Sequence, residues 1–152
     1  MECSLPESPS AYLDALYEEY DGFDIQQTTI GVDREEFEVI ANRPDGIAVR
    51  VRIEGDGGVV ALPDGDGWVL PGGIVDATPD RETVARFVGR WTGIRAEIEE
   101  LEQVSLVCLQ CEPDGTELWT ASAVMSATAM GGTPKAGAVW RDPETPVAVP
   151  SL

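Results

Sequence analysis

The feature that most constrains the fold is a strand pattern that leads through a glycine turn into a capped helix. Residues 47–54 read "IAVRVRIE", and apolar side chains at every second position predict a strand with one buried face. The segment "WVLPGG" precedes a helical pattern over residues 79–92, and a hairpin pattern follows in "VSLVCLQCE", "PDG" and "ELWTASAVM". Strands before and after a helix predict an α/β (α+β) domain built on a mixed sheet.

The central helix carries start and stop signals of its own. Thr78 is predicted to cap it, Pro79 suits its first position, and Gly93 suits its end. Glu82 and Arg86 are four residues apart, a spacing that favours a surface ion pair. An apolar stripe is predicted from Val84, Phe87, Val88 and Trp91. The pattern is that of an amphipathic helix packed on a sheet.

Two units are predicted along the chain. Residues 1–46 are expected to form an N-terminal helical extension, packed on a domain of residues 47–152. Within that domain the Ser-, Thr- and Gly-rich residues 126–137 are predicted to be a mobile loop.

Two helices are predicted in the extension. Ser8 before Pro9 starts the first and Gly22 stops it, while Asp33 starts the second and Pro44 closes it. The apolar face of the first helix is predicted from Leu13, Leu16, Tyr17 and Tyr20.

The segment from Pro71 to Ile94 begins with "PGG", ends with "TGI" and lies between strands. In these residues and this order of elements, the chain resembles the Nudix hydrolase superfamily over roughly residues 47–140. The box of that family runs Gly, five residues, Glu, seven residues, then Arg-Glu-apolar-x-Glu-Glu-x-Gly-apolar. The resemblance implies a mixed sheet sandwiched between helices. It also implies a Mg²⁺ site on the helix, at which nucleoside diphosphate derivatives are hydrolysed.

The carboxylates of that box are missing here. With residues 93–94 on the closing Gly-apolar pair, Arg86 falls on the motif's Arg. Phe87 then falls on the first following Glu, and Arg90 and Trp91 fall on the Glu-Glu pair. Clustered carboxylates on one helical face are what would hold Mg²⁺ against a diphosphate. The resemblance therefore keeps the frame of the site without its metal ligands.

We expect a protein that binds a nucleoside-diphosphate-linked small molecule with weak or no hydrolysis, without a cofactor or a bound metal. The candidate ligand-binding residues are Gly72, Gly73, Arg86 and Arg90. Guanidinium groups can contact a diphosphate directly through bidentate hydrogen bonds. Such contacts are open to Arg50, Arg52, Arg86, Arg90 and Arg95, and the alternative is that each pairs with a surface acid.

Two other functions remain open. One is an active Mg²⁺-dependent hydrolase of nucleoside diphosphate derivatives such as ADP-ribose, in which displaced carboxylates of Asp76, Asp80 and Glu82 hold the metal. Pro79 stands where the earlier box Glu is expected. The other is a protein-interaction module whose exposed Trp and Phe form an interface.

The charge of the chain bears on its partners and its compartment. A formal charge of −18, from 28 Asp plus Glu against 10 Lys plus Arg, disfavours nucleic acids and anionic membranes as partners. We hypothesise a salt-rich cytoplasm, where such repulsion is screened, against the alternative of simple acidic solubility. A homodimer is possible. The N-terminus carries no signal pattern, so a cytoplasmic location is expected.

The two cysteines of "CLQC" are predicted to be packed in the core and not to bind a metal. "CLQC" places Cys108 and Cys111 three residues apart, hence on opposite faces of a strand. Without His or a second cysteine pair, zinc binding is disfavoured, and both thiols are predicted to be buried.

Overall fold

In a computed structural model, residues 7–20, 22–42, 46–76, 79–135 and 137–147 are described. The helices of this part are α1 (Glu7–Glu19), α2 (Arg34–Ala41) and α3 (Arg81–Thr92). The strands are β1 (Asp24–Val32), β2 (Ile47–Gly55), β3 (Gly58–Asp64), β4 (Gly67–Val69), β5 (Gly72–Val75), β6 (Ile94–Cys111), β7 (Glu117–Gly132) and β8 (Val139–Arg141). None of these helices is both long enough and apolar enough to cross a bilayer.

The strands form one mixed sheet in the order β1-β6-β7-β2-β3-β4, with β5 paired to β2 and β8 paired to β3. The pairs β1–β6 and β2–β7 are parallel, whereas β6–β7 and β2–β3 are antiparallel hairpins. The mixed sheet and the β6–β7 hairpin agree with the prediction from sequence.

Helices cover both faces of the sheet, as the alternating side chains of β6 show. Leu106 and Cys108 belong to the larger core, which α1 and α3 cover. Val107 and Leu109 point to the opposite face, where they form a smaller cluster with Ile40 of α2. The predicted fold class, a mixed sheet between helices, is confirmed.

The N-terminal region contains a strand as well as the two predicted helices. Strand β1 pairs in parallel with β6 from Asp24 opposite Gln103 to Val32 opposite Cys111. Strand β1 is an element that the prediction of a helical extension did not include, and the division of the chain at residue 46 stays a prediction.

The predicted face of α1 is correct at three of its four residues. Leu16 and Tyr20 are buried and Leu13 packs against the core, but Tyr17 is 58% exposed. Tyr17 instead lies against the ring of Phe23, with 5.0 Å between the ring centroids. The predicted stop of α2 at Pro44 lies outside the described residues.

The predicted mobile loop at residues 126–137 is largely strand. Strand β7 continues to Gly132 and pairs with the first part of β6, where Ile94 lies opposite Gly132. Ala127 is buried, whereas Thr128 is exposed. Ala129 is partly buried against the core, and Gly131 and Gly132 are exposed. The stretch is a strand because β6 pairs with it, although its composition predicted a loop.

The start of α3 differs from the prediction. The helix begins at Arg81 and its cap is Asp80, so Pro79 lies ahead of the helix and is not its first residue. Thr78, the predicted cap, is outside the described residues. The predicted Glu82–Arg86 ion pair is also absent, since no ion pair within 4.0 Å joins the two among the residues described.

Both cysteines of "CLQC" are buried, as predicted. Burial raises the pKa of the Cys111 thiol above its ordinary value, which keeps it protonated and unreactive near neutral pH.

Candidate functional site

Helix α3 is fixed at both ends and along its buried face. The Asp80 carboxylate accepts a hydrogen bond from the backbone N–H of Thr83 at 2.8 Å, which satisfies one of the free donors of the first turn. Gly93 ends the helix in a left-handed conformation at φ 78°, and its N–H donates to the carbonyl of Gly89. Three residues of the helix lie fully buried on the sheet: Val84, Val88 and Thr92. The backbone of α3 is thus held in place, which fixes where its outward side chains leave the helix.

Trp91 covers the glycine of β5 that was predicted to bind ligand. A β-carbon built on Gly73 would lie 2.9 Å from the indole ring, so the ring rests directly on the Gly73 backbone. Phe87 lies beside Trp91, with 5.6 Å between ring centroids, and both rings pack against the core. The aromatic pair therefore fills the side of α3 where the resemblance places two of the three Glu residues.

Gly72 lies on the opposite face of the sheet from Gly73. It pairs with Arg50 of β2, and a β-carbon there would overlap the carbonyl of Val49. The Arg50 guanidinium donates to the carbonyl oxygen of Leu70 at 2.9 Å, and burial lowers the Arg50 pKa from its ordinary value. The two predicted glycines are not brought together on one surface.

Arg86 and Arg90 both lie on the exposed side of α3. The Arg90 guanidinium stands 5.2 Å from the centroid of the Phe87 ring, a cation–π contact. Arg86 donates to the Thr83 hydroxyl oxygen at 3.4 Å, which is a long and weak hydrogen bond. Their guanidiniums are therefore available to an anion.

An open groove runs between α3 and the start of β6. Its volume is about 420 Å³, and Glu82, Arg86 and Arg95 are the charged residues that border it. Small residues line the remainder: Ala85, Gly89, Gly93 and Ala96, together with Ile94. Sequence reasoning named the two arginines but not the groove, which exists only where helix and strand meet.

Lys135 adds a positive charge at the C-terminal end of α3. Its backbone N–H donates to the carbonyl of Thr92 at 2.8 Å. Its side chain packs so close to Gly93 that a β-carbon there would lie 2.6 Å from the lysine Cγ. No sequence signal places Lys135 here, because the chain reaches this position only after the long hairpin of β6 and β7.

Four cations at the middle and the end of α3 form no ion pair with a carboxylate in the described part of the chain. Arg34, Arg52 and Arg81 each have a carboxylate partner within 4.0 Å. Among the described residues, no such ion pair is formed by Arg86, Arg90, Arg95 or Lys135. In a chain with a formal charge of −18, these four cations bring positive charge to the surroundings of α3.

The residues present do not fit a Mg²⁺ ion. Asp80 is engaged as the helix cap, Glu82 borders the groove, and Asp76 is an exposed residue beyond β5. Across the described part of the chain, no group of three or more Asp, Glu, Cys or His side chains is arranged to hold a metal ion. Mg²⁺ held by protein groups needs several oxygen ligands at near-octahedral positions.

No protein-family model matches the chain, and no curated protein matches it significantly. Among solved structures, it is similar to a candidate oxidoreductase from Sinorhizobium meliloti 1021, at 22% identity and a TM-score of 0.46, over 72% of this chain and 35% of that one. It is also similar to an ADP-ribose pyrophosphatase from Streptococcus suis 89-1591, at 15% identity and a TM-score of 0.40, over 61% of this chain and 68% of that one. A third structure is a UDP-X diphosphatase, at 21% identity and a TM-score of 0.43, over 68% of this chain and 54% of that one. Likeness at this level fixes neither family nor activity.

Proposed function

We propose that this chain has a Nudix-like fold, binds a nucleoside-diphosphate-type small molecule, and does not hydrolyse it with Mg²⁺. The observation that carries the proposal is the Trp91 indole lying on Gly73. This contact occupies the side of α3 on which the resemblance requires carboxylates, and Phe87 extends the apolar surface. Mg²⁺ has no oxygen ligands to bind on that surface.

The unpaired cations around α3 support binding without a metal. A diphosphate held by Mg²⁺ in a hydrolase can instead be held by guanidinium and ammonium groups, which match its charge and donate hydrogen bonds. Charged hydrogen bonds of this kind contribute about 1.5–3 kcal/mol each. Arg86, Arg90 and Arg95 form no ion pair with any carboxylate of the described residues, which leaves them available for this role.

The first prediction is that the purified protein does not turn over ADP-ribose or a dinucleoside polyphosphate above background at millimolar Mg²⁺. The measurement is product release followed by chromatography, with and without EDTA. Turnover that EDTA abolishes, and that Asp76→Ala or Glu82→Ala also removes, would establish the hydrolase with displaced carboxylates instead.

The binding half of the proposal is tested separately by calorimetry with ADP-ribose in EDTA, at one fixed KCl concentration. Saturable one-to-one binding is expected, weakening as KCl is raised because the contacts are ionic. If the wild-type protein neither binds nor hydrolyses ADP-ribose and related nucleoside diphosphates, the proposal is wrong. A protein-interaction module is then the better account.

A further inference from the structure

The groove between α3 and β6 lies on the opposite side of the helix from the Trp91–Gly73 contact. With 3.6 residues per turn, Glu82, Arg86, Gly89 and Gly93 line one side of the helix. Phe87 and Trp91 lie on the other side, a half-turn away. Any ligand in the groove would therefore sit apart from the side of the helix that the Nudix resemblance indicates.

Two arginines reach the groove from different elements. Arg86 comes from the middle of α3, and Arg95 comes from the second residue of β6. One nitrogen of Arg95 donates to the carbonyl of Met130 at 3.2 Å, which holds the side chain on β7. Among the described residues its other N–H groups make no side-chain hydrogen bond or ion pair. Guanidiniums that border one groove from two directions suit a ligand with two linked anionic groups.

The walls of the groove allow close approach. Gly89 lies in the helix where a β-carbon would meet nothing nearer than 3.9 Å, so the space above it is open. The neighbouring Ala85 and Ala96 are also small. The volume of about 420 Å³ falls within the range of about 300–1,000 Å³ that is usual for small-molecule sites.

The two ends of the groove carry opposite charges. Lys135 lies against Gly93 at one end, whereas Glu82 is more than two helical turns away, near the start of α3. A phosphate is favoured near the lysine and disfavoured near the carboxylate. The carboxylate can instead accept hydrogen bonds from hydroxyl or amino groups of an uncharged portion.

We propose that this groove is the diphosphate site: the phosphates lie between Arg86 and Arg95, and the uncharged part of the ligand lies over Ala85 towards Glu82. This assignment rests on the proposed function, and it locates the ligand on the side of α3 away from Trp91. The ligand class is a diphosphate, either free or linked to a nucleoside.

The test is calorimetry in EDTA at fixed KCl, with two probes, inorganic pyrophosphate and ADP-ribose. The variants are Arg86→Gln, Arg95→Gln and Arg90→Gln, and Arg34→Gln is the matched control. Each removes one positive charge, and Arg34 is an exposed arginine of α2, on the other face of the sheet. For Arg86→Gln and Arg95→Gln we expect the Kd for ADP-ribose to rise about tenfold or more, equivalent to about 1.4 kcal/mol. For Arg34→Gln the Kd should change less than about twofold, within the range of a distant surface charge.

A second measurement reports location without any variant. Titration of ¹⁵N-labelled protein with ADP-ribose should shift the amide resonances of Gly89, Gly93 and Arg95, while that of Gly73 stays in place. Pyrophosphate alone should shift the Arg95 and Gly93 amides, and the larger ligand should add Ala85. Pyrophosphate binding as tight as ADP-ribose binding would assign the site to free diphosphate.

Several results would overturn the assignment. Loss of affinity in Arg90→Gln but not in Arg95→Gln, or a shift at Gly73 and not at Gly89, would place the ligand beside Trp91. The proposed binding function would then still hold, but the assignment of the site to the groove would be wrong. Absence of ADP-ribose and pyrophosphate binding by the wild-type protein would reject both the groove and the function.

Discussion

At Gly73 the missing side chain lets a large aromatic ring rest on the backbone of β5. The indole of Trp91 takes this space, and so a position that the Nudix resemblance assigns to a metal ligand becomes part of the packing between helix and sheet. The Trp91 indole differs in two ways from the Glu that the resemblance expects at this position. It offers no oxygen to a metal ion, and it fills the space over the backbone of β5. A return of Glu at residue 91 alone would thus leave the other two box carboxylates missing.

The second prediction concerns the contact between Gly73 and Trp91. Gly73→Ala would place a methyl group 2.9 Å from the Trp91 ring, which must move. We expect the free energy of unfolding to fall by about 1–3 kcal/mol, as overpacking of a core usually costs. Chemical denaturation measures it, with Gly67→Ala as control because a β-carbon there meets nothing nearer than 3.8 Å.

The cause of that loss can be isolated in a Trp91→Leu background. If the ring is the obstacle, Gly73→Ala should cost clearly less there than in the wild-type protein. An equal cost in both backgrounds, or no cost in either, would show that the indole does not rest on Gly73 as described.

At the scale of elements, the Asp80 cap fixes the start of α3, the helix that contributes Glu82, Ala85 and Arg86 to the groove. Asp80→Ala removes the carboxylate that accepts from the Thr83 N–H, and the unfolding free energy should fall by about 0.5–2 kcal/mol. Asp80→Ser should retain part of that stability, since a hydroxyl can also cap. Asp76→Ala is the control, because Asp76 is exposed and precedes the cap. Equal melting temperatures for Asp80→Ala and the wild type would contradict the capping role.

Some elements were predictable because local signals and tertiary packing agree. Strand β2 alternates apolar and polar residues, and its core-facing side chains are all buried. Helix α3 carries an apolar stripe that the structure places on the sheet. In both, the sequence period matches the buried face, so the period alone is informative.

Other elements depend on contacts that local patterns do not contain. Strand β1 is mostly exposed and polar, and it is a strand because β6 supplies hydrogen-bonding partners along its whole length. The end of β7 reads as a loop by composition, yet the start of β6 pairs with it. In each case pairing with a distant strand outweighs local propensity.

The candidate site was only partly accessible from sequence for the same reason. Arg86 and Arg90 follow from their places on a helix. Lys135, in contrast, is brought to Gly93 by the return of a long hairpin, and the separation of Gly72 from Gly73 onto two faces follows from the pairing of β5 with β2. Sequence spacing predicted which residues lie on the same helix. The groove could not be predicted, because it forms only where the helix and strand β6 meet in the folded chain.

For the whole molecule, the dominant property is unbalanced negative charge. The formal charge is −18, while the unpaired cations Arg86, Arg90, Arg95 and Lys135 gather around α3. An acidic surface repels an anionic ligand at long range, and the cations attract it at short range. Salt weakens the short-range ionic contacts to the ligand, and it also relieves repulsion among the carboxylates of the folded chain. Ligand affinity should therefore fall, and fold stability should rise, as salt is raised.

The last prediction concerns stability as KCl is raised from millimolar to molar. The Debye length falls from tens of ångströms to about 3 Å over that range, so repulsion among carboxylates beyond contact distance is removed in the folded state. The melting temperature should rise, and most of the rise should come below about 0.5 M, where screening changes most. Scanning calorimetry at fixed pH measures it.

A neutralised variant separates screening from general salt effects. Glu97→Gln with Glu100→Gln removes two exposed charges from β6 and brings the formal charge from −18 to −16. Because there is then less repulsion to screen, the variant should melt higher than the wild type at millimolar KCl and gain less on going to molar KCl. A melting temperature that ignores KCl, or an equal gain in both proteins, would contradict the hypothesis of adaptation to a salt-rich interior and favour acidic solubility alone.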